Sequence, residues 1–422
     1  MNDPLNNSYY AATANGLVDR PALVGEKQAD ICVVGGGFTG LAAALACAEA
    51  GFSVIVLEAE HVGFGASGRN GGQLIPGLRW TMQEVVAAFG EARAQAIYDV
   101  AMTARDRVHA RIAQHEITCD IKQGHLEAAQ KQSHFSAMCR DVDFLNDKFG
   151  YASPQIIAAK DMADHIDAPH YHGGVYDPAG GHFHPLNYAR GLADAAEKAG
   201  VQIFENSRVQ RVENGTGVTV GTPHGTVNAR HAIIGCDSWM GDVLPSVGRF
   251  TIPIMNYNIA TAPLTNADAL LPSDAAVADS RFVLNYFRLS ADKRMIFGGG
   301  EKYTTRPPRD IAAFVRQHMV DVFPALSGVK IDYVWGGAVA VTMNRLPHFG
   351  RTENTYFAHG FSGHGALMTT LAGELIAEAL RGTVERYDVM AGLPHRPFPG
   401  GKWLAQPLAT LGLMWFALRD KL

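Results

Sequence analysis

Apolar residues gather along this chain in runs whose length and spacing predict alternating strands and helices. An apolar run over 30–34 leads into the turn GGGFTG, an alanine-rich stretch over 41–50, Gly51 and a second apolar run, SVIVLE. The order reads as strand, turn, helix, strand. Residues 186–199 have helical periodicity, and the segments VQIFENSRVQRV, GVTV, GTVNA and HAIIGC that follow alternate at strand spacing, as in a small meander closed by a buried strand. A last long helical pattern covers 366–380. Residues 86–181 and 243–334 mix both patterns. The apolar stretches over 31–57 and 403–418 are interrupted, the first by glycines and Glu49, the second by Gln406 and Pro407, so neither predicts a membrane span. The tail over 402–422 reads as a helix with an apolar face and basic ends, suited to packing on its own domain or to docking on a membrane surface.

The first βαβ unit carries a specific turn. Gly35, Gly37 and Gly40 hold the three positions of G-x-G-x-x-G, with Phe38 and Thr39 between them. Glycine there allows a tight turn, close approach of backbone to a pyrophosphate, and close packing of helix on strand. The helix N-terminus offers unpaired N–H groups and a positive dipole end to an anion. Glu58, followed by Ala59 at the tip of the second strand, suits hydrogen bonds from ribose hydroxyls and repels a 2′-phosphate. The motif alone leaves NAD and FAD open, since both present the same ADP half. Because the fingerprint occurs once, a single tightly held flavin is simpler than a flavin beside a separate nicotinamide domain.

Composition narrows the classes further. Of 422 residues, 47% are hydrophobic and 18% charged, enough for a large core in two or three domains. The 36 Lys and Arg against 41 Asp and Glu give a net charge of -5 without long runs, so nucleic acid is not an expected partner. Five cysteines, Cys32, Cys47, Cys119, Cys139 and Cys236, lack C-x-x-C spacing and predict neither a disulfide framework nor a thiolate metal site. The polar N-terminal segment MNDPLNNSYY does not read as a secretory signal, so the expectation is a cytoplasmic protein without integral membrane association. His170, His172, His182 and His184 form two H-x-H pairs, but no acidic or cysteine partner stands at metal spacing, and no metal is expected.

Two further glycine-rich segments bear on chemistry. Between Gly63 and Gly72 the chain reads GFGASGRNGG, continued by Gln73; Ser67, Gly68, Arg69, Asn70, Gly71 and Gly72 offer N–H groups and a guanidinium to anionic or carbonyl oxygens. The turn Gly360, Phe361, Ser362, Gly363, His364, Gly365 opens the helical pattern at 366, so a ligand can approach that helix N-terminus.

Together with the N-terminal fingerprint, HVGFGASGRNGGQLIPG and YFAHGFSGHGALMTTLAGELIAEAL resemble the D-amino-acid oxidase superfamily of FAD-dependent amine oxidoreductases, nearly end to end. Within it the chain is similar to the gamma-glutamylputrescine oxidoreductases through SYYAATA at 8–14, GASGRNGGQ at 65–73, GHFHPLNYARGLA at 181–193 and YFRLSADKRMIFGG at 286–299. The resemblance implies an α/β architecture of the glutathione-reductase-like type: a discontinuous FAD-binding Rossmann domain over 1–85, 182–242 and 335–422, and a substrate domain over 86–181 and 243–334 whose antiparallel sheet roofs the flavin. It implies that Val209 lies near adenine and that the helix entered at Gly360 to Gly365 points at the flavin pyrimidine. The sarcosine oxidases of the superfamily tether their flavin to a late cysteine, whereas here none follows Cys236, so the FAD is expected to be noncovalent. They also carry a lysine in the strand matched by Arg294 to Gly298, absent here, which leaves oxygen or another acceptor to reoxidise the flavin.

The implied reaction is hydride transfer from a neutral amine to the flavin and hydrolysis of the imine to an aldehyde. The expected substrate is gamma-glutamylputrescine or a similar gamma-glutamylated amine. Oxidation of sarcosine, glycine or D-amino acids is one alternative, and a flavin-binding redox sensor or electron-carrier subunit another. His364 and Tyr286 are the candidate catalytic residues; His364 serves the flavin edge and substrate cavity, or packing. Tyr286, Tyr257 and Trp335 line an amine tunnel or belong to the core. Arg69 and Arg288 suit a remote carboxylate, unless Arg69 serves FAD and Arg288 a strand turn.

Overall fold

The computed structural model describes residues 7–16, 18–302, 307–400, 407 and 410, so the helix expected over 402–422 lies almost wholly outside the described residues. The first βαβ unit forms as its pattern predicts, with strand Gly25–Val34, helix Phe38–Glu49 and strand Val54–Leu57. Gly25–Val34 pairs in parallel with Gly225–Ile234 on one side and with Val54–Leu57 on the other. The sheet extends through Thr355–His359 and His348–Thr352 at one end and Gln202–Phe204 at the other. Central parallel strands must be covered on both faces. Accordingly Ile31 and Val33 pack into one core with Leu41, Leu45, Leu371 and Leu375, while Cys32 and Val34 face a second core with Val218 and Val220 of the meander.

Three helices cover the first face: Phe38–Glu49, Pro185–Lys198 and Gly365–Leu380. Their approach is set by small residues. A Cβ at Gly40 would stand 1.9 Å from the Gly35 carbonyl oxygen, and one at Gly373 would stand 2.5 Å from Ala43 N and from Thr39 O. Helix on strand and helix on helix are thus at backbone contact, which brings the N-termini of Phe38–Glu49 and Gly365–Leu380 to one side of the sheet.

A second sheet runs Ile331–Thr342, Thr251–Thr261, Met295–Lys302, Tyr286–Leu289, Ala276–Asp279, Lys122–Ala128, Gly173–His182, Gln73–Leu74, with Gln155–Ala158 added on Gly173–His182. It is antiparallel apart from one parallel pair, Ala276–Asp279 with Lys122–Ala128. Leu126, Val277, Phe287, Phe297, Tyr257 and Ile259 pack its outer face against helix Ile311–Val322, leaving the other face toward the first sheet.

Some segments lie elsewhere than their expected domain. Ile331–Thr342 pairs along its whole length with Thr251–Thr261, so the crossing expected at 335 falls inside a strand of the second sheet. Helix Glu91–Gln114, expected with the second sheet, docks on the first layer, because Ile97, Val100, Ala101, Ala104 and Val108 form a stripe at helical spacing. Arg111, 4% exposed, donates from Nε to Glu374 Oε1 at 2.7 Å and also pairs with Glu49. This bond joins the helix to both Gly365–Leu380 and Phe38–Glu49. Among the described residues no helix is long and apolar enough to cross a membrane.

Substituting Gly373→Ala is expected to destabilise the protein by about 1–3 kcal/mol, because the new methyl group meets backbone rather than a movable side chain. Gly215→Ala, where an added Cβ meets nothing within 4 Å, is the neutral control. Denaturant midpoints of the two variants check this.

Candidate active site

The glycine turn and the helix behind it form one wall of the site. A Cβ at Gly37 would meet Ser67 Oγ at 2.8 Å, and the Phe38 N–H donates to that same oxygen at 2.9 Å. The helix is therefore capped from a distant loop rather than by its own N-cap residue. The N–H groups of Gly37, Thr39 and Gly40 have no acceptor among the described residues, which leaves this N-terminus open to an anion. At the tip of the neighbouring strand, Glu58 accepts from the N–H groups of Gly36 at 2.6 Å and Glu60 at 2.9 Å, with Ala59 N–H also favouring the charge. Burial still pushes its carboxyl up, and Glu205 adds to the rise. Val209 is buried with Leu57 and Phe204, close to this end of the strand. Open N–H groups beside a carboxylate at a strand tip fit the pyrophosphate and ribose of an ADP-bearing cofactor.

The loop over 63–73 lies between the sheets. Asn70 is spent on the loop itself: Nδ2 donates to Ala66 O and Ser67 O, each at 3.0 Å, and Oδ1 accepts from Gly72 N–H at 2.7 Å. Its expected role as a donor to a ligand is thus replaced by shaping of the backbone that presents one. Arg69 Nη1 donates to Gly336 O at 3.3 Å and its guanidinium covers the Phe64 ring. Its carbonyl receives Trp335 Nε1–H at 3.0 Å and Asn258 Nδ2–H at 3.5 Å. Gly68 and Gly72 are in backbone contact with Gly63 O and Phe183 O, and Gly71 lies against the Tyr286 ring. Gln73 Nε2 donates to Val277 O at 2.8 Å, while its Oε1 accepts from His125 Nε2–H at 3.2 Å.

Three alternatives left open by the sequence are decided here. Arg288, 4% exposed, donates to Gly71 O, Phe183 O, Leu289 O and Tyr10 Oη, so it clamps the loop and is not available to a substrate carboxylate. Trp335 is fully buried and holds Arg69 in place instead of lining a tunnel. Tyr257 is equally buried in the outer core. Of the histidine pairs, His184 caps helix Pro185–Lys198 by accepting from Asn187 N–H, and His182 bonds to Asp274 O.

The third wall is the turn before helix Gly365–Leu380. Gly360 has φ +70°, and a Cβ there would stand 2.6 Å from Thr342 Cγ2. Asp237 accepts from Gly360 N–H at 3.0 Å and Ala340 N–H at 3.3 Å, and burial pushes its carboxyl up to about 6. Ser362 Oγ accepts from Thr342 N–H, and Phe361 is anchored in the helix core. Gly363 opens on empty space. Burial drives the His364 imidazole down to about 3, with Arg79 and His125 adding repulsion, and its Nε2 is buried without a partner. Tyr286 donates from its hydroxyl to Asn256 Oδ1.

Arg79, His125 and Asp237 escaped the sequence reading. Asp237 had a signal, because GCDSW follows the C-terminal end of strand Gly225–Ile234, where ligands of parallel sheets gather.

The family model described as FAD dependent oxidoreductase (DAO) matches residues 30–379. The chain is 39% identical over 420 residues to the Gamma-glutamylputrescine oxidoreductase of Escherichia coli (strain K12), covering 99% of this chain and 98% of that protein. Among solved structures it is similar to glycine oxidase from Geobacillus kaustophilus, with a TM-score of 0.73, 20% identity and coverage of 84% of this chain and 95% of that one. It is likewise similar to L-proline dehydrogenase from P. horikoshii, with a TM-score of 0.72, 21% identity and coverage of 87% and 99%. The open helix N-terminus, the carboxylate at the strand tip and these matches agree, and the chain belongs to the DAO family of FAD dependent oxidoreductases, enzymes that use FAD to act on CH–NH or CH–NH2 groups.

Proposed function

We propose that this enzyme oxidises the terminal CH2–NH2 group of gamma-glutamylputrescine, or of a similar gamma-glutamylated amine, to the aldehyde. The observation that carries the reading is the likeness along the whole chain to the E. coli Gamma-glutamylputrescine oxidoreductase. In this reading the first sheet and its helices hold FAD without a covalent link, and the second sheet covers the substrate. Oxygen or another acceptor completes turnover, and the cytoplasm is the proposed location.

FAD, when bound, supplies the acceptor for a hydride from the carbon beside nitrogen. The chain's own residues provide everything around that step. Gly37, Thr39 and Gly40 present N–H groups to the pyrophosphate, Glu58 accepts from ribose, and Ser67 and Asn70 keep the loop in shape. The N-terminus of Gly365–Leu380 turns its positive end toward the site, favouring negative charge that develops there. His364 stays neutral at any working pH, so it repels no amine and takes up no proton. The amine must therefore arrive deprotonated, and water hydrolyses the product imine.

The purified protein is expected to be yellow and to release intact FAD on acid precipitation; flavin retained on the polypeptide would overturn noncovalent binding. Turnover is expected to favour gamma-glutamylputrescine over putrescine, sarcosine and D-alanine by about tenfold or more in kcat/KM, since remote binding energy is used only by the full-length substrate. Equal or better use of sarcosine or D-alanine refutes the substrate. Below the pKa of the substrate ammonium, near the ~10.4 of a lysine side chain, kcat/KM is expected to rise about tenfold per pH unit. With its imidazole driven down to about 3, His364 should add no inflection of its own between about pH 5 and 8.

A further inference from the structure

The second sheet carries one row of residues that runs past the cofactor loop and beyond it. By register, Trp335 neighbours Asn258, Asn258 neighbours Gly298, Gly298 neighbours Tyr286, Tyr286 neighbours Ala278, and Ala278 neighbours Glu127. Cross-strand neighbours share a face. Trp335 and Asn258 meet the Arg69 carbonyl and Tyr286 meets Gly71, so this face is the one turned toward the loop. Glu127 lies two strands beyond Tyr286, roughly 10 Å away at about 4.8 Å per strand. Within the row only the small side chain of Ala278 stands between them, with Gln73 held beside it by its hydrogen bond to Val277 O.

Glu127 is exposed, whereas Leu126 and Ala128 on either side are fully buried. Both edges of strand Lys122–Ala128 are paired, so the exposed carboxylate faces the space over the sheet. Although the side chain reaches solvent, the protein packed around it still pushes its carboxyl up through desolvation, with Arg79 opposing the rise and Asp141 adding to it. Arg79 is exposed and close enough for its charge to act on both Glu127 and His364. Neither side chain makes a hydrogen bond or an ion pair among the described residues, not even with the other. A carboxylate and a guanidinium left apart in one space are complementary to a ligand that carries both opposite charges.

We propose that Glu127 and Arg79 bind the α-amino-acid end of the substrate, Glu127 taking its ammonium and Arg79 its carboxylate, with the oxidised carbon at the Tyr286 and His364 end of the row. The assignment rests on the gamma-glutamylated amine as substrate. In gamma-glutamylputrescine about eight bonds separate the oxidised carbon from the α-carbon of the glutamyl group. An extended chain advances about 3.3–3.6 Å per three bonds, so they span about 9 Å, the length of the row. Glu127 and Arg79 then act as specificity residues and leave the reacting atoms alone.

The test uses the FAD-loaded enzyme and its Glu127→Gln and Arg79→Gln variants, with retained flavin content as the check on folding. Substrates are gamma-glutamylputrescine, glutarylputrescine, which lacks the α-ammonium, and N-acetylputrescine, which lacks both charges. Glu127→Gln should lower kcat/KM for gamma-glutamylputrescine about 10–100-fold, the usual range for a charged hydrogen bond, and leave glutarylputrescine nearly unchanged. Arg79→Gln should lower both, and neither variant should affect N-acetylputrescine. Equal losses on all three substrates, or no loss on any, overturn the proposal. Failure of the substrate itself is read separately, in a wild type that does not prefer gamma-glutamylputrescine over N-acetylputrescine. In that case gamma-glutamylmethylamide serves as a competitive inhibitor: inhibition weakened by Glu127→Gln keeps the amino-acid site, and inhibition equal in the two forms, or none in either, removes it.

Discussion

The architecture depends on burying a glycine-rich loop between two sheets without leaving its backbone unpaired. A buried carbonyl with no donor costs about as much as a lost hydrogen bond. The second sheet meets this demand: Trp335 and Asn258 donate to Arg69 O, and Arg288 donates to Gly71 O and Phe183 O. These donors come from three strands, so the loop cannot settle until the sheet is assembled. In turn Ser67, held in that loop, caps helix Phe38–Glu49. The first helix, the glycine-rich loop and the second sheet are parts of one hydrogen-bonded unit.

Charge is handled by the same economy. Arg288 is buried, yet among the described residues no carboxylate lies in ion-pair range of it; carbonyl dipoles and a tyrosine hydroxyl surround its guanidinium instead. The neighbouring His182 and His184 respond: burial, reinforced by Arg288, drives each imidazole down to about 3. His364 is neutral for the same principal reason. Burial between the sheets thus keeps His182, His184 and His364 neutral.

The first βαβ unit and its chemistry were legible in the sequence alone. The apolar periods, the spacing of Gly35, Gly37 and Gly40 and the acid at the end of the second strand are local features, and local features dictate the turn, the helix start and the strand tip whatever surrounds them. The same holds for helices Pro185–Lys198 and Gly365–Leu380, which lie within a residue of where their patterns put them. The roles of particular side chains were settled elsewhere. Arg288 and Trp335 read equally well as ligand-binding residues until three-dimensional contacts turned them toward the loop backbone. Asn70 had the right chemistry for a ligand but was closer to the carbonyls of Ala66 and Ser67. Glu127 and Arg79, more than forty residues apart, share a space only because Lys122–Ala128 pairs with Ala276–Asp279 in one register, and a shift of one residue would turn Glu127 into the outer core. Periodicity determined which segments became strands and helices; which face, which partner and which protonation state each polar residue received depended on long-range pairing and burial, and these exist only in the folded chain.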